Sequence, residues 1–348
     1  MIDFAQAQLE KLVIHKIGNK SQEEGVTLSK SEIVIDDAST ADLLFTFFSQ
    51  PFKSDEIYTF DTEKHISDES VFSYTNTIFE DNTHLFIESA NIAKKLYDIS
   101  THPNIKSGEL YVAYFSNCIV EGEVTDAVGI FKSENKDSFI KVYVQNEIFN
   151  VDHESGINIK KLDKGCLIFN HNPETGHVLK IVDNTNKSNE AHYWIEDFIQ
   201  AAVMKNEYFN TTQFVQLCKN FSDQVLTEDN NVEKQEQLGF MSKSYDYLKQ
   251  NDVLDVEQFQ EDVIGNPEVI QHFNEFKETY EEDNNIESQS QFEVSPDALK
   301  KAKKYVRSVI KLDKNFHVYV HSRPEYIEKG FDEGRNMQFY KLYYENES

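Results

Sequence analysis

Glu109-Leu110-Tyr111-Val112-Ala113-Tyr114-Phe115 is the stretch that decides the fold of this chain. Aliphatic and aromatic residues of the types enriched in strands fill it, and the turn Glu121-Gly122-Glu123 follows shortly afterwards. Residues 127–131 then return as a second strand, and short strand-like segments continue to Val182. Their connections are short and carry Gly, Asn or Asp, which is typical of antiparallel hairpins. The sequence therefore predicts an antiparallel meander in this region.

Helical patterns lie on both sides of the β region. On its N-terminal side, apolar spacing and turn residues predict helices at 42–48, 70–79 and 88–99, and short strands at 12–15 and 32–35.

On the C-terminal side, apolar residues recur at helical spacing from about residue 192 to Tyr280. Ser295-Pro296-Asp297 is a helix-start signal, and strand-like segments follow it. We therefore predict an α+β fold in three parts. They are a mixed N-terminal domain with an antiparallel sheet (residues 1–186), an acidic helical middle region (187–287) and a small C-terminal helix-plus-strands unit (292–348).

The charge balance is strongly acidic. The 348 residues include 34 Lys and Arg against 61 Asp and Glu, a net charge of −27, and residues 222–287 alone hold 18 acidic and 4 basic residues. This balance disfavours proteins that coat nucleic acid, or attach to anionic lipid, by bulk attraction. The sequence contains no run of about 18 apolar residues, so it predicts no membrane-spanning helix. Three scattered cysteines predict buried, unpaired thiols in a reducing compartment: Cys118, Cys166 and Cys218.

One basic cluster stands out against this background. Residues 299–314 contain seven cations and one acid, Asp313; the cations are Lys300, Lys301, Lys303, Lys304, Arg307, Lys311 and Lys314. On a helix, Lys300, Lys304, Arg307 and Lys311 share one face, and such a row could contact the phosphates of a duplex. The alternative is a solvated face that pairs with acidic helices, and a strand could also begin near Arg307.

A second, more scattered basic group lies in the β region. Its members are ordinary surface lysines or, for all except Lys141, candidates for DNA contact: Lys132, Lys136, Lys141, Lys160, Lys161 and Lys164.

The segment Glu134-Asn135-Lys136 is also compatible with the active site of a Mg²⁺-dependent nuclease. In such a site, carboxylates hold the metal and the lysine stabilises the charge that develops during the reaction. Asp126 is the nearest upstream carboxylate, but eight residues of extended chain separate it from Glu134 by about 26 Å. A shared metal would need a sharp bend or another ligand such as Glu109, and the alternative is surface charge at a strand end. No phosphate-binding loop, zinc spacing or nucleophile motif occurs, so we expect no catalytic residue, metal or cofactor.

Several segments in order resemble the bacterial 37-kDa nucleoid-associated proteins. They are His15–Lys20, His102–Leu110, Asp126–Lys136, Gly156–Cys166, Glu190–Trp194, Phe331–Glu333 and Phe339–Leu342. The resemblance implies a cytoplasmic protein that is associated with the folded chromosome and binds DNA. It implies no catalytic residue and supplies no DNA-contact residue to transfer.

Three hypotheses follow. The first is a non-enzymatic, nucleoid-associated protein that binds DNA through a local basic patch, as a monomer or homodimer, without a membrane partner. The second is an acidic interaction module of a nucleoid, repair or defence complex that meets a basic protein partner or mimics DNA. The third is the nuclease centred on Glu134 and Lys136.

Overall fold

The computed structural model describes residues 2–61, 67–185, 193–227, 232, 234–284, 286–306, 308–312, 315–320 and 326–346. The chain divides into two compact units, Met1–Met204 (unit 1) and Lys205–Ser348 (unit 2). Helices and antiparallel sheets occur together, which confirms the predicted α+β class. The division into three parts stays a prediction.

Unit 1 is built around one antiparallel sheet. The strands of unit 1 are β1 (Ile2–Asp3), β2 (Gln8–Ile17), β3 (Val26–Thr27), β4 (Tyr58–Phe60), β5 (Gly108–Val120), β6 (Glu123–Ser133), β7 (Asp137–Gln145), β8 (Ile148–Gly156), β9 (Lys164–Phe169), β10 (Val178–Asp183) and β11 (Ala201–Val203), and all except β7 and β8 belong to this sheet. Its helices are α1 (Ala38–Ser49), α2 (Val71–Glu80), α3 (Leu85–Ile99) and a π-helical segment, Tyr193–Ile199, with short 3₁₀ turns at Lys20–Gln22, Asn82–His84 and Pro173–Thr175. The strand order is β11-β4-β10-β9-β6-β5-β2-β3, and β1 pairs with β5.

Both faces of the central strand β5 are buried, which explains its uninterrupted apolar sequence. Leu110, Val112 and Tyr114 belong to the core that contains α2 and α3. Tyr111 and Phe115 point to the opposite face, where they meet Phe47 and Phe48 of α1.

The predicted meander is only partly correct. Strands β5, β6, β9 and β10 are neighbours in the main sheet, whereas β7 and β8 form a separate two-stranded sheet. The prediction of a strand at 32–35 is wrong, because that segment has no regular secondary structure. One backbone hydrogen bond still joins it to β2, since the amide of Ile33 donates to the carbonyl of Leu12 at 2.8 Å.

Two residues of His15–Lys20, the first of the segments that resemble the nucleoid-associated proteins, have structural roles. The side-chain amide of Asn19 donates to the carbonyls of His102 (2.9 Å) and Ile105 (2.7 Å) and thereby joins two of the matched segments. The buried His15 accepts the backbone N–H of Ser29 at Nδ1 (3.1 Å), so Nε2 carries the proton and donates to Ser89 Oγ at 3.0 Å. This arrangement requires a neutral imidazole.

Unit 2 is mainly helical. Its helices are α4 (Glu207–Gln224), α5 (Lys234–Gln250), α6 (Val256–Phe259) continuing into the π-helical Gln260–Ile264, α7 (Pro267–Asp283) and α8 (Pro296–Val306). Its strands pair antiparallel as β12 (Val253–Asp255) with β13 (Gln291–Glu293), β14 (Ser308–Leu312) with β15 (Phe316–Val320), and β16 (Ile327–Asp332) with β17 (Met337–Leu342).

Aromatic rings fill the core of unit 2. Phe221 and Phe273 meet edge to face with centroids 5.1 Å apart, and Phe214 meets Phe259 in the same way at 4.9 Å. Leu299 and Ala302 are buried in this core, so the apolar stripe of α8 packs as its spacing predicts and its lysines remain outside.

The predicted state of the cysteines is also confirmed, because all three are free and buried. In the part of the chain that the structure describes, no helix combines the length and the apolar character needed to cross a bilayer.

The buried neutral His15 makes stability depend on pH. Burial lowers the pKa of His15 from 6.5 to about 4, and that of His177 likewise to about 4. Between pH 6.5 and about pH 4, the unfolded chain binds more protons at these histidines than the folded chain does, so the free energy of unfolding decreases as the pH falls. Each histidine should contribute a loss of about 2 kcal/mol in the free energy of unfolding between pH 7 and pH 5.

Urea denaturation at both pH values measures this loss. His15→Gln should reduce the difference by about 2 kcal/mol, and His272→Gln, at an exposed position of unit 2, is the control. An unaltered pH dependence in His15→Gln would show that this imidazole binds its proton equally well in the folded and unfolded states.

Candidate nucleic-acid interface

Two of the predicted DNA-contact lysines are buried at the pairing of β6 with β9. Lys132 lies directly opposite Lys164 in the strand register, and the two residues are 0% and 1% exposed. Neither ammonium group is accessible to a phosphate, so the prediction that Lys132 and Lys164 lie on the surface is wrong. The reason is that each lysine has an acidic partner in the fold.

Lys132 is held by groups from two loops. Its Nζ lies 2.8 Å from Glu134 Oε1 and donates to the carbonyl of Lys106 at 2.7 Å. The hydroxyl of Tyr193 donates to the same Glu134 oxygen at 3.4 Å. Burial lowers the pKa of Lys132, and the charge of Glu134 opposes that effect. The pair thus places a cation and an anion together away from water.

Lys164 is held by a second carboxylate, that of Asp183, whose side chain is 11% exposed. Its Nζ contacts both carboxylate oxygens of Asp183 at 2.8 Å and the hydroxyl of Thr185 at 2.8 Å. The same ammonium lies 5.1 Å from the ring centre of Tyr193, a favourable cation–π distance. These contacts join β9 to the end of β10 and to the π-helical segment.

Asp163 fixes the loop that follows β6. Its carboxylate accepts the backbone N–H groups of Glu134 (2.6 Å) and Asn135 (3.0 Å), and also the side-chain amide of Asn135 at 2.7 Å. A carboxylate that accepts three such bonds holds the loop in one conformation. The positions of the neighbouring lysines are set in this way.

Four exposed lysines surround this loop, and we call them the loop lysines: Lys106, Lys136, Lys160 and Lys161. Lys106 Nζ donates to Asn135 Oδ1 at 2.8 Å, Lys136 pairs with Glu109 at 2.7 Å, and Lys161 pairs with Asp137 at 3.0 Å. Sequence reasoning missed Lys106 as a site residue, although the matched segment His102–Leu110 contains it. With the carboxylates of Glu109, Asp137 and Asp163 among four ammonium groups, the cluster carries a local excess of one positive charge.

A second exposed set lies on α8, and we call its members the α8 lysines: Lys300, Lys301, Lys303 and Lys304. Lys300 pairs with Asp297 at 2.7 Å and still exposes 77% of its side chain. Lys301 Nζ lies 3.1 Å from the hydroxyl of Tyr208, and Lys304 Nζ lies 4.8 Å from the ring centre of Tyr305.

The predicted four-residue row on one helix face is not formed. The helix ends at Val306, and Lys311 belongs to β14, whose backbone pairs with β15. Arg307 lies outside the described residues. The helical part of the row therefore consists of Lys300 and Lys304. The alternative prediction, that a strand begins near Arg307, is confirmed by β14, which starts at Ser308.

The groups of the nuclease hypothesis have other partners. Asp126 accepts the hydroxyl of Tyr114 at 2.6 Å, Glu134 pairs with Lys132, and Lys136 pairs with Glu109. Over the ranges that the structure describes, no group of three His, Cys, Asp or Glu residues is placed to hold a metal ion. Among the described residues, the groups of the nuclease hypothesis are thus engaged with partners of their own.

Removal of the Glu134 carboxylate should test the buried pair. Glu134→Ala leaves the Lys132 charge without its partner in a site where both side chains are at most 5% exposed. We expect a loss of about 3–5 kcal/mol in the free energy of unfolding, measured with urea at pH 7. Adding Lys132→Met should recover part of this loss, because the uncompensated charge is then absent.

Glu154→Ala is the matched control, since it breaks an ion pair with Lys141 in which both side chains are more than half exposed. It should cost less than about 1 kcal/mol. Equal losses for Glu134→Ala and Glu154→Ala would contradict a structural role for the buried pair.

The segments that form these features also match a known family. The family model described as nucleoid-associated protein YejK matches residues 13–336, which is nearly the whole chain. No curated protein is similar enough to count as a match. The matched range includes both buried ion pairs, the loop lysines and α8. The chain therefore belongs to the NA37 family of nucleoid-associated proteins.

Proposed function

We propose that this nucleoid-associated protein contacts DNA directly, through the α8 lysines, without catalysing a reaction on it. The observation that carries the proposal is the charge of α8, which exposes four ammonium groups within eleven residues and carries one acid, Asp297. Lysines on a helix surface meet phosphates as point charges and read no base edges. The contact is therefore independent of DNA sequence.

A local patch can act in a chain with a net charge of −27 because salt screens distant charges. The Debye length is about 8 Å at physiological ionic strength, so acidic residues farther away are largely screened. Each phosphate contact releases counterions and adds about 0.9 to the slope of log affinity against log salt. Two to four contacts give weak binding that decreases steeply with salt.

The loop lysines are a second candidate contact surface. The same reasoning applies to them, but two of the four share their charge with Glu109 and Asp137. We expect a smaller contribution from this cluster than from α8.

Charge reversal on α8 should weaken DNA binding. Lys300→Glu combined with Lys304→Glu should reduce affinity for a short duplex at least tenfold at low salt and lower the salt slope by about 2. Filter binding over a salt series measures both quantities, with duplexes of unrelated sequence giving equal results.

The control carries the same change of charge elsewhere in unit 2. Lys243 and Lys249 are exposed on α5, and reversing both to Glu should leave the salt slope unchanged. A control variant that weakens binding as much as the α8 variant would assign the effect to net charge. A wild-type protein that binds no duplex at low salt would exclude direct contact.

A second candidate function rests on an acidic row on α7. Glu268, Glu275, Glu278 and Glu282 are all exposed, and their spacings of seven, three and four residues place them on one helix face. Like charges at these spacings destabilise a helix, and a basic partner bound to this face would relieve the repulsion. In this function the row binds a basic DNA-binding protein, as an adaptor or as a mimic of DNA.

Neutralisation of the α7 row should release such a partner. The triple change Glu275→Gln, Glu278→Gln and Glu282→Gln should abolish co-purification of a basic DNA-binding protein from native extract. The control neutralises three exposed acids off this row, Asp246, Glu261 and Asp262, and should retain the partner. Equal recovery with both variants would exclude the α7 row as the binding surface.

A further inference from the structure

Strands β7 and β8 form a hairpin that leaves the main sheet of unit 1. They lie in sequence between β6 and β9, which are neighbours in that sheet, and pair only with each other along nine residues. Nine residues of strand extend about 30 Å. A two-stranded hairpin alone is marginally stable in water, and three or more strands or a covered apolar face are normally required.

The two faces of this hairpin differ in charge. We call one of them the apolar hairpin face; its members are Ile140, Val142, Val144, Phe149 and Val151, with exposures of 77%, 62%, 58%, 77% and 71%. His153 completes it, opposite Ile140. The other face is mixed, because Lys141, Asp152 and Glu154 share it with the exposed Phe139, Tyr143 and Ile148. The uncharged, contiguous apolar face is of the kind that marks an interaction site.

We propose that the apolar hairpin face is the interface of a homodimer, in which two copies stack their hairpins face to face. Such stacking produces a two-layer, four-stranded sandwich and removes the face from water. The proposal is independent of DNA binding.

Charge favours a second copy of this chain as the occupant. Two chains that each carry −27 repel, so a stable contact between them requires a surface without acidic groups. The apolar hairpin face meets this requirement, since the residues that share this side of the hairpin with its five apolar members are Ser138, Ser155 and His153, none of them acidic. The same absence of cations disfavours nucleic acid on this face.

The area and symmetry fit the same occupant. Five exposed aliphatic and aromatic side chains present on the order of 500 Å², so two copies bury about 1,000 Å², near the lower limit of specific interfaces. A twofold axis across the strands places Val142 against its own copy and Ile140 against the partner's Val144.

The oligomeric state of the full chain tests the proposal. Sedimentation equilibrium at about 100 μM should give twice the mass of 40.5 kDa, with dissociation in the micromolar range expected for a small interface. Val142→Lys places two like charges across the axis and should weaken the dimer more than about 100-fold. Tyr143→Lys, at the adjacent position on the opposite face, is the control and should remain dimeric.

A mixing experiment distinguishes the interface from a general loss of solubility or folding. Val142→Lys and Val142→Glu chains should each be monomeric, and an equimolar mixture should recover the dimer mass through opposite charges at the axis. Both variants should retain the wild-type circular dichroism spectrum, because the hairpin lies outside the two cores of unit 1. A wild-type chain that is monomeric at about 100 μM, or a Val142→Lys chain that remains dimeric, would overturn the proposal.

Discussion

Two buried ammonium groups, those of Lys132 and Lys164, impose the constraint on which the rest of unit 1 depends. Because a buried charge without a partner costs several kcal/mol, each lysine fixes the place of a carboxylate: Glu134 after β6 and Asp183 at the end of β10. Tyr193 contacts both pairs and so ties the π-helical segment to the same point. The exposed loop lysines then have defined positions because the loop beneath them cannot move freely.

Charge in this protein is distributed by structural element. The α7 face is acidic, α8 is basic, and the apolar hairpin face carries almost no charge. Since screening confines electrostatic effects to about 8 Å, each surface meets its partner with its own local charge. The net charge of −27 therefore disfavours indiscriminate coating of DNA but does not determine what a single helix can bind.

Local sequence predicted the elements well and the environment of individual lysines poorly. The apolar run of β5 gave a correct strand, and Ser295-Pro296-Asp297 gave the correct start of α8, because both signals are local. The burial of Lys164 depends on Asp183, nineteen residues away, and on the pairing of β9 with β6. No local pattern reveals such a partner. In the same way, Lys311 lies outside the helical row because its backbone pairs with β15, and this strand pairing is not visible in the local sequence.

The α8 patch and the apolar hairpin face gain from each other if both act as proposed. A patch of four lysines alone makes few phosphate contacts and binds weakly. A dimer carries the patch twice, and once one patch is bound, the second meets the DNA at a high effective concentration, which can raise the apparent affinity by about 10²–10⁴. The two contributions leave different signatures. Loss of the α8 lysines removes phosphate contacts from every site and lowers the salt slope per chain. Loss of the dimer leaves the contacts of each chain intact and lowers only the apparent affinity, so the dependence on protein concentration separates the two effects.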